Sequence, residues 1–333
     1  MEIGEIKTEK SIAEAIVETI AFFDLFSYPL TGFEVWKYLG AKCELSDVLE
    51  ILEDITKKPP LVPPLQGGQV EKRGQIESKN GFYFLAGREE IIKERMARYN
   101  YTDKKFKRVV WLAKIFKFIP WIKTIAVGNI IGTHNLKKES DIDLFIITEE
   151  NRVWLTRFFC ILITKILGLR PKPENMQDKI CLSFFISEEA MNLEKLMLPD
   201  GSDIYFIYWL AGLVPVYDKD GIYNKFIGAN GWLKNYLPNW EAGEINYRRN
   251  AGKSFSWFYR DTIDMFFGGL ERRIKNWQIK ILPKQLATIM NLDTRVVASD
   301  SVIKLHSNDR REEYENKLKA NLPAGEEKLK NYL

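Results

Sequence analysis

The sequence predicts a mixed α/β chain of several domains: an amino-terminal helical segment closed by a hairpin, a central region of strands and helices, and a mainly helical carboxyl region. Three observations carry this expectation. From Ser11 onward apolar residues recur at helical spacing, and the pattern ends at a two-residue hairpin signal, Asn80-Gly81. After Pro120 short β-prone runs replace the helical period. The length of 333 residues exceeds one ordinary core, so two or three domains are expected, with divisions at about 1–96, 97–240 and 241–333. Hydrophobic residues at 46% and charged residues at 28% describe a globular chain, and 13% aromatic residues argue against disorder. The net charge of +4 is too small to single out a polyanionic partner.

The first region begins with Ile12, Ile16, Ile20 and Phe23 on one helical face, which predicts a helix from Ser11 to Leu25. Thr31 and Glu34 form a capping-box pair after Pro29 and open a second, short helix through Val35 to Leu39. Ser46 is placed to cap a third helix, with Val48, Leu49, Leu52 and Ile55 on one side. The runs Ile76–Lys79 and Phe82–Leu85 then flank Asn80-Gly81 as a hairpin, after a Pro- and Gly-rich loop at 59–74. Three short helices followed by a hairpin describe a winged helix. Its third helix would have to enter the major groove to read DNA. That helix carries Asp47, Glu50, Glu53 and Asp54, and four carboxylates oppose phosphate binding. DNA binding is therefore disfavoured against a packing or protein-contact role.

Residues 89–118 read as one or two helices. The basic run Lys104, Lys105, Lys107, Arg108, Lys114 and Lys117 is interleaved with Phe106, Trp111 and Phe116, the pattern of a solvated face above an apolar underside. The apolar stretch Val153 to Leu169 holds Arg157 and Lys165 and is shorter than the roughly 20 residues a membrane span requires, so a buried helix is expected and no membrane partner. The amino terminus lacks the apolar core of a signal peptide. Cys43, Cys160 and Cys181 show no CxxC spacing and read as reduced core residues, which points to the cytoplasm. His134 and His306 are too few and too far apart to suggest a zinc site.

The chemistry concentrates after Pro120. A β-prone run, Thr124 to Val127, leads directly into Gly128-Asn129, and eleven residues separate Asn129 from Asp141. Ser140-Asp141-Ile142-Asp143-Leu144-Phe145-Ile146-Ile147 is a strand by composition. Side chains alternate along a strand, so Asp141 and Asp143 leave the same face with Cα atoms about 6.6 Å apart. Two such carboxylates can converge on one Mg²⁺ or share a pair of ions (Mn²⁺ being the alternative ion), an arrangement that orients a triphosphate and neutralises its developing charge. Gly128 allows close backbone approach to phosphate, and Asn129 offers a hydrogen-bond donor. An isolated Asp-x-Asp is common. Here it comes with a strand, a Gly-polar turn and a short interval, which favours the functional reading.

These residues resemble the polymerase-β-type nucleotidyltransferase superfamily, whose usual pattern is Gly-Ser or Gly-Gly, a loop, then Asp-x-Asp or Asp-x-Glu. The run Ser140 to Thr148, followed by Val153-Trp-Leu-Thr-Arg157, is similar to bacterial and archaeal members with an amino-terminal winged helix. The similarity extends through Lys179–Phe185, Val296–Asp300 and His306–Arg311, covering most of the chain. The resemblance implies a central nucleotidyltransferase-type mixed sheet with helices. It also implies Mg²⁺-dependent transfer of a nucleoside monophosphate from an NTP, ATP among them, to a hydroxyl on a small molecule, RNA or protein, with release of pyrophosphate. Asp141 and Asp143 would hold metal, and Gly128 and Asn129 would seat the nucleotide.

Two departures from the family pattern stand out. Asn129 replaces the usual Ser or Gly. The family's third carboxylate belongs on a neighbouring strand, and the best match, Lys179 to Ile186, alternates so as to put Cys181, Ser183 and Phe185 on one face. Ser183 occupies the acid's place, and a serine hydroxyl is neither a strong Mg²⁺ ligand nor a good base. Asp178, just before that strand, is a substitute, or else simply the end of a loop.

In the remainder, Asp203 to Leu213 reads as an apolar helix, and residues 246–284 as helical and basic, with Asp264 and Glu271 marking an ordinary solvated face. The segment His306 to Arg311 is read in two ways. It supplies an acceptor-side base, His306, and a phosphate-binding cation, Arg310, or it is a loop into a helix capped by Asn308 or Asp309. The tail from Arg310 to Lys330 should be a surface helix interrupted at Pro323 and Gly325. Because the third acid is missing, a catalytically impaired nucleotide- or protein-binding module is the alternative function.

Overall fold

The computed structural model describes residues 11–57, 75–129, 135–172, 174–199, 203–254, 257–306 and 309–322. The predicted loop at 59–74, His134, Asn308 and the tail beyond Leu322 lie outside the described residues. The fold is mixed α/β, with one three-stranded and one six-stranded sheet among the described residues. The chain divides into two compact units: Met1–Met96 with Leu233–Glu241 and Glu313–Leu333, and Ala97–Trp232 with Ala242–Glu312.

In the first unit α1 (Ile12–Asp24) starts at Ser11, whose hydroxyl accepts from Glu14 N while the Glu14 carboxylate accepts from Ser11 N. Strand β1 (Leu30–Thr31) leads into α2 (Gly32–Lys37), which uses the predicted Thr31/Glu34 box. The third helix, α3 (Leu45–Lys57), begins one residue before Ser46. Ser46 is therefore not its cap; the Glu44 N–H is taken instead by the Asp47 carboxylate at 3.0 Å. Val48 and Leu52 are buried as predicted, but Leu49 is 43% exposed. Strands β2 (Ile76–Lys79) and β3 (Phe82–Leu85) pair antiparallel across Asn80 and Gly81, at φ 54° and 77°. Both residues of the turn adopt the left-handed conformation that a tight hairpin requires. Strand β1 joins the other edge of β3, giving the order β1-β3-β2.

Helix α4 (Ile91–Phe116) is continuous, and its residues from Ala97 belong to the second unit. Lys105 departs from the predicted solvated face: only 2% of it is exposed. The six-stranded sheet runs β7-β4-β5-β6-β9-β8. It comprises β4 (Ile122–Val127), β5 (Ile142–Thr148), β6 (Ile180–Ser187), β7 (Val214–Asp218), β8 (Val296–Ala298) and β9 (Val302–Leu305). Sequence patterning gave no signal for β7. Among the described residues only the β5–β6 pair is parallel, and α5 (Val153–Ile166) makes the crossover between them. Helices α6 (Ile204–Ala211) and α7 (Ile222–Ala229) flank β7. Helices α8 (Trp257–Phe267), α9 (Glu271–Lys280) and α10 (Lys284–Ile289) follow, and α11 (Arg311–Asn321) closes the described chain. No helix among the described residues is long and apolar enough to cross a membrane.

The main core lies on the α5 side of the sheet. Ile142, Leu144 and Ile146 of β5 and Ile180, Leu182 and Phe185 of β6 pack there with Trp154, Leu155 and Cys160. On the opposite side Phe145 meets Phe184 at a ring separation of 5.2 Å, and Trp209 stacks on Phe184. Asp264 and Glu271 are structural rather than solvated. Asp264 accepts from the Trp121 indole and from Arg152, and Glu271 accepts from the backbone N–H groups of Trp154 and Leu155. Helix α5 has no cap of its own, so a carboxylate from α9 satisfies its first amides.

Candidate functional site

The site begins where β4 ends. Gly128 donates its N–H to the Asp143 carbonyl at 2.9 Å, continuing the β4–β5 ladder by one residue. A Cβ at position 128 would lie 3.1 Å from the Trp209 ring, closer than ordinary contact, so glycine gives the indole room to pack here. The expected phosphate contact has a competitor here, because that N–H is already committed. Asn129 is exposed and sits in the left-handed region at φ 57°. Its Nδ2 donates to Asp143 Oδ2 at 3.1 Å, and its Oδ1 accepts from Tyr205 OH at 2.8 Å. The asparagine amide thus holds Asp143 in place.

Asp141 immediately precedes β5, and Asp143 is its second residue. Their carboxylates converge, and a third group that sequence reading assigned to the core joins them. One donor atom each from Asp141, Asp143 and Cys181 lies within 4.8 Å of the other two. The cause is register. Asp143 of β5 pairs directly with Cys181 of the parallel strand β6. The register then shifts, so that Phe145 pairs with Phe184 rather than the next alternate residue. That shift overturns the simple alternation expected for β6. Phe185 turns to the α5 side with Leu182, and Phe184 takes the side of Phe145.

Burial and the neighbouring Asp143 push the Asp141 carboxyl up to about 6, against the opposing effect of Lys105. Burial and then Asp143 also drive the Cys181 thiol well above its usual value. Lys105 is the charged group that sequence patterning missed. From inside α4 its Nζ donates to the Ser140 carbonyl at 2.5 Å and pairs with Asp178 at 2.9 Å. Asp178 adopts φ 59° in the turn before β6, and its carbonyl accepts from Arg108. Asp178 is thus engaged by Lys105 and is not a member of the Asp141–Asp143–Cys181 group.

Ser183 is buried and lies between two partners. The Cys181 thiol donates to Ser183 Oγ at 3.3 Å, and His306 Nε2 is 3.1 Å from the same oxygen. Burial lowers the His306 pKa, with Asp143 opposing the shift. The carboxyl-terminal segment therefore brings His306 back to this sheet. Arg310 is exposed, whereas Arg311 is buried on Asp203 and Asp309. Asp309 also accepts from Arg311 N at 3.1 Å, at the start of α11.

Two carboxylates and a thiol this close repel one another when charged, and either protons or a cation relieve that repulsion. The donor set and its spacing fit one divalent ion. The chain matches no family model, no curated protein and no solved structure.

Proposed function

We propose that the second unit is a metal-dependent nucleotidyltransferase of the polymerase-β type, moving a nucleoside monophosphate from an NTP to a hydroxyl acceptor and releasing pyrophosphate. The observation that carries this reading is the convergence of Asp141 and Asp143 at the start of β5, beside the Gly128-Asn129 turn that ends β4. The acceptor oxygen attacks the α-phosphorus, the bond from that phosphorus to the bridging oxygen breaks, and pyrophosphate leaves. Asp141 and Asp143 would hold a divalent cation, which would neutralise charge on the triphosphate. Asn129 fixes the Asp143 carboxylate in the orientation this requires. The neutral His306 ring, 3.1 Å from Ser183 Oγ, takes the hydroxyl proton in place of a third carboxylate. A nucleotide substrate and three free cysteines fit a cytoplasmic protein.

The order β1-β3-β2 with α1, α2 and α3 supports a winged-helix reading of the first unit. Glu50, Glu53 and Asp54 are exposed on α3, so the proposal assigns it to protein contact rather than DNA. The test of the enzyme reading is incubation with each of four NTPs and Mg²⁺ or Mn²⁺. A nucleotide-dependent rise in melting temperature is expected, together with pyrophosphate release once a hydroxyl acceptor is supplied, both lost in Asp143→Asn. No thermal response to any nucleotide overturns the reading. A second reading, a nucleotide-binding module without transfer activity, is favoured by the engagement of Asp178 with Lys105. It predicts the thermal response without pyrophosphate, whatever acceptor is supplied.

A further inference from the structure

We propose that Cys181 is a metal ligand, so that the Asp141–Asp143 centre takes a thiophilic divalent ion of the Zn²⁺ class rather than Mg²⁺. This rests on the reading of that centre as a metal site and narrows which ion it holds. The first support is placement. Cys181 is the direct cross-strand partner of Asp143, so its side chain leaves the sheet on the same side and beside the same carboxylate. The second is spacing. Bonds of about 2.0–2.3 Å at tetrahedral angles put oxygen and sulfur donor atoms about 3.3–3.5 Å apart. The three donor atoms lie within 4.8 Å of one another, so closing on an ion asks for side-chain rotations that bring them about 1 Å nearer.

The third support is chemical. Mg²⁺ takes oxygen ligands in near-octahedral geometry and has little use for sulfur, whereas thiolate is a preferred ligand of Zn²⁺ and its neighbours. Among the described residues no third carboxylate, and no histidine, belongs to the group, so the thiol holds the remaining protein position. Ion binding exchanges the thiol proton for a metal–sulfur bond, and that proton passes to water. Ser183 then changes role. Its Oγ, 3.3 Å from Cys181 Sγ, is placed to orient the ligand sulfur.

The experiment is a titration of the full-length protein with Cd²⁺ and with Co²⁺, read by the ultraviolet charge-transfer absorption that only a metal–thiolate bond gives. A band saturating at one ion per chain is expected. It should persist in the Cys43→Ser, Cys160→Ala double variant, where Cys181 is the sole remaining thiol. It should vanish in Cys181→Ser, with Cd²⁺ binding at least about tenfold weaker and Mn²⁺ binding nearly retained. Cys181→Asp, which supplies three carboxylates, should lose the band and shift preference towards Mg²⁺. The double variant keeps the test decisive if either substitution at position 181 fails to fold. Absence of the band in the wild-type protein, or its loss in the double variant, overturns the assignment of Cys181. If Mg²⁺ and nucleotide still bind in that case, the nucleotidyltransferase reading survives. If neither Cd²⁺, Mn²⁺ nor nucleotide with Mg²⁺ binds, both fall.

Discussion

Lys105 Nζ, buried inside α4, lies 2.9 Å from Asp178 Oδ1 and at the same time holds the Ser140 carbonyl. One ammonium thereby ties together the residue before Asp141 and the turn that opens β6, the two approaches to the candidate metal group. Lys105→Met keeps the volume of the stem and removes the charge. Because Asp178 is one-third exposed and can regain water, the expected cost is about 2 kcal/mol, below that of breaking a fully buried pair. Urea denaturation measures it, and an unchanged midpoint would show that the pair contributes nothing to the fold.

Asp141 makes stability depend on pH. Its carboxyl is pushed from the ordinary 3.8 up to about 6, so between those values the folded state binds more protons than the unfolded state. Stability therefore falls as pH rises through this window, by about 1–2 kcal/mol once partial exposure is allowed for. Asp141→Asn should be more stable than the wild-type protein at pH 7.5 without divalent ions, and the difference should shrink towards pH 4. Thermal melts across pH with a chelator present decide the matter; equal stability at pH 7.5 would refute it.

The Asn129 amide joins Tyr205 to Asp143. Asn129→Gly preserves the left-handed backbone at φ 57° while removing the amide. Divalent-ion affinity should drop about tenfold, with little loss of stability, because an orienting partner is gone while the ligands remain. Calorimetric titration with Mn²⁺ reads this directly. Wild-type affinity in the variant would mean that Asp143 needs no support.

Gly128→Ala tests packing at the end of β4. The new methyl would meet the Trp209 ring at 3.1–3.4 Å, and that indole is itself stacked on Phe184 and Phe206. The rigid ring cannot yield without disturbing its neighbours, so a loss of about 1–3 kcal/mol is expected, along with a changed tryptophan emission. A variant as stable as the parent would place slack around Trp209.

In the first unit Arg95 makes a two-pronged ion pair with Glu34, at 2.7 and 3.0 Å, while the same carboxylate completes the capping box of α2. Both partners are buried. Arg95→Met leaves a buried carboxylate without its counter-ion and should cost about 3–5 kcal/mol. Chemical denaturation provides the number, and a loss below about 1 kcal/mol would indicate that the carboxylate finds other partners.

Local signals in the sequence reached far. The Thr31/Glu34 box, the Asn80-Gly81 turn with its two flanking strands, and the alternation that puts Asp141 and Asp143 together all depend on residues a few positions apart. Signals failed where the partner was remote. Glu271 and Asp264 resembled surface acids, although one caps α5 across 117 positions and the other binds Arg152 across 112.

Periodicity and turn chemistry were enough to locate α1, α2, the β2–β3 hairpin, β5 and α5 and to bring Asp141 and Asp143 together, because backbone geometry repeats every few residues and needs no distant partner; β7 gave no such signal. Tertiary structure alone decided that Cys181 pairs with Asp143, that Lys105 is buried beneath Ser140, and that His306 returns to Ser183. Strand register and helix docking are set by long-range packing, and one shift between Asp143 and Phe145 exchanges the faces that Phe184 and Phe185 occupy.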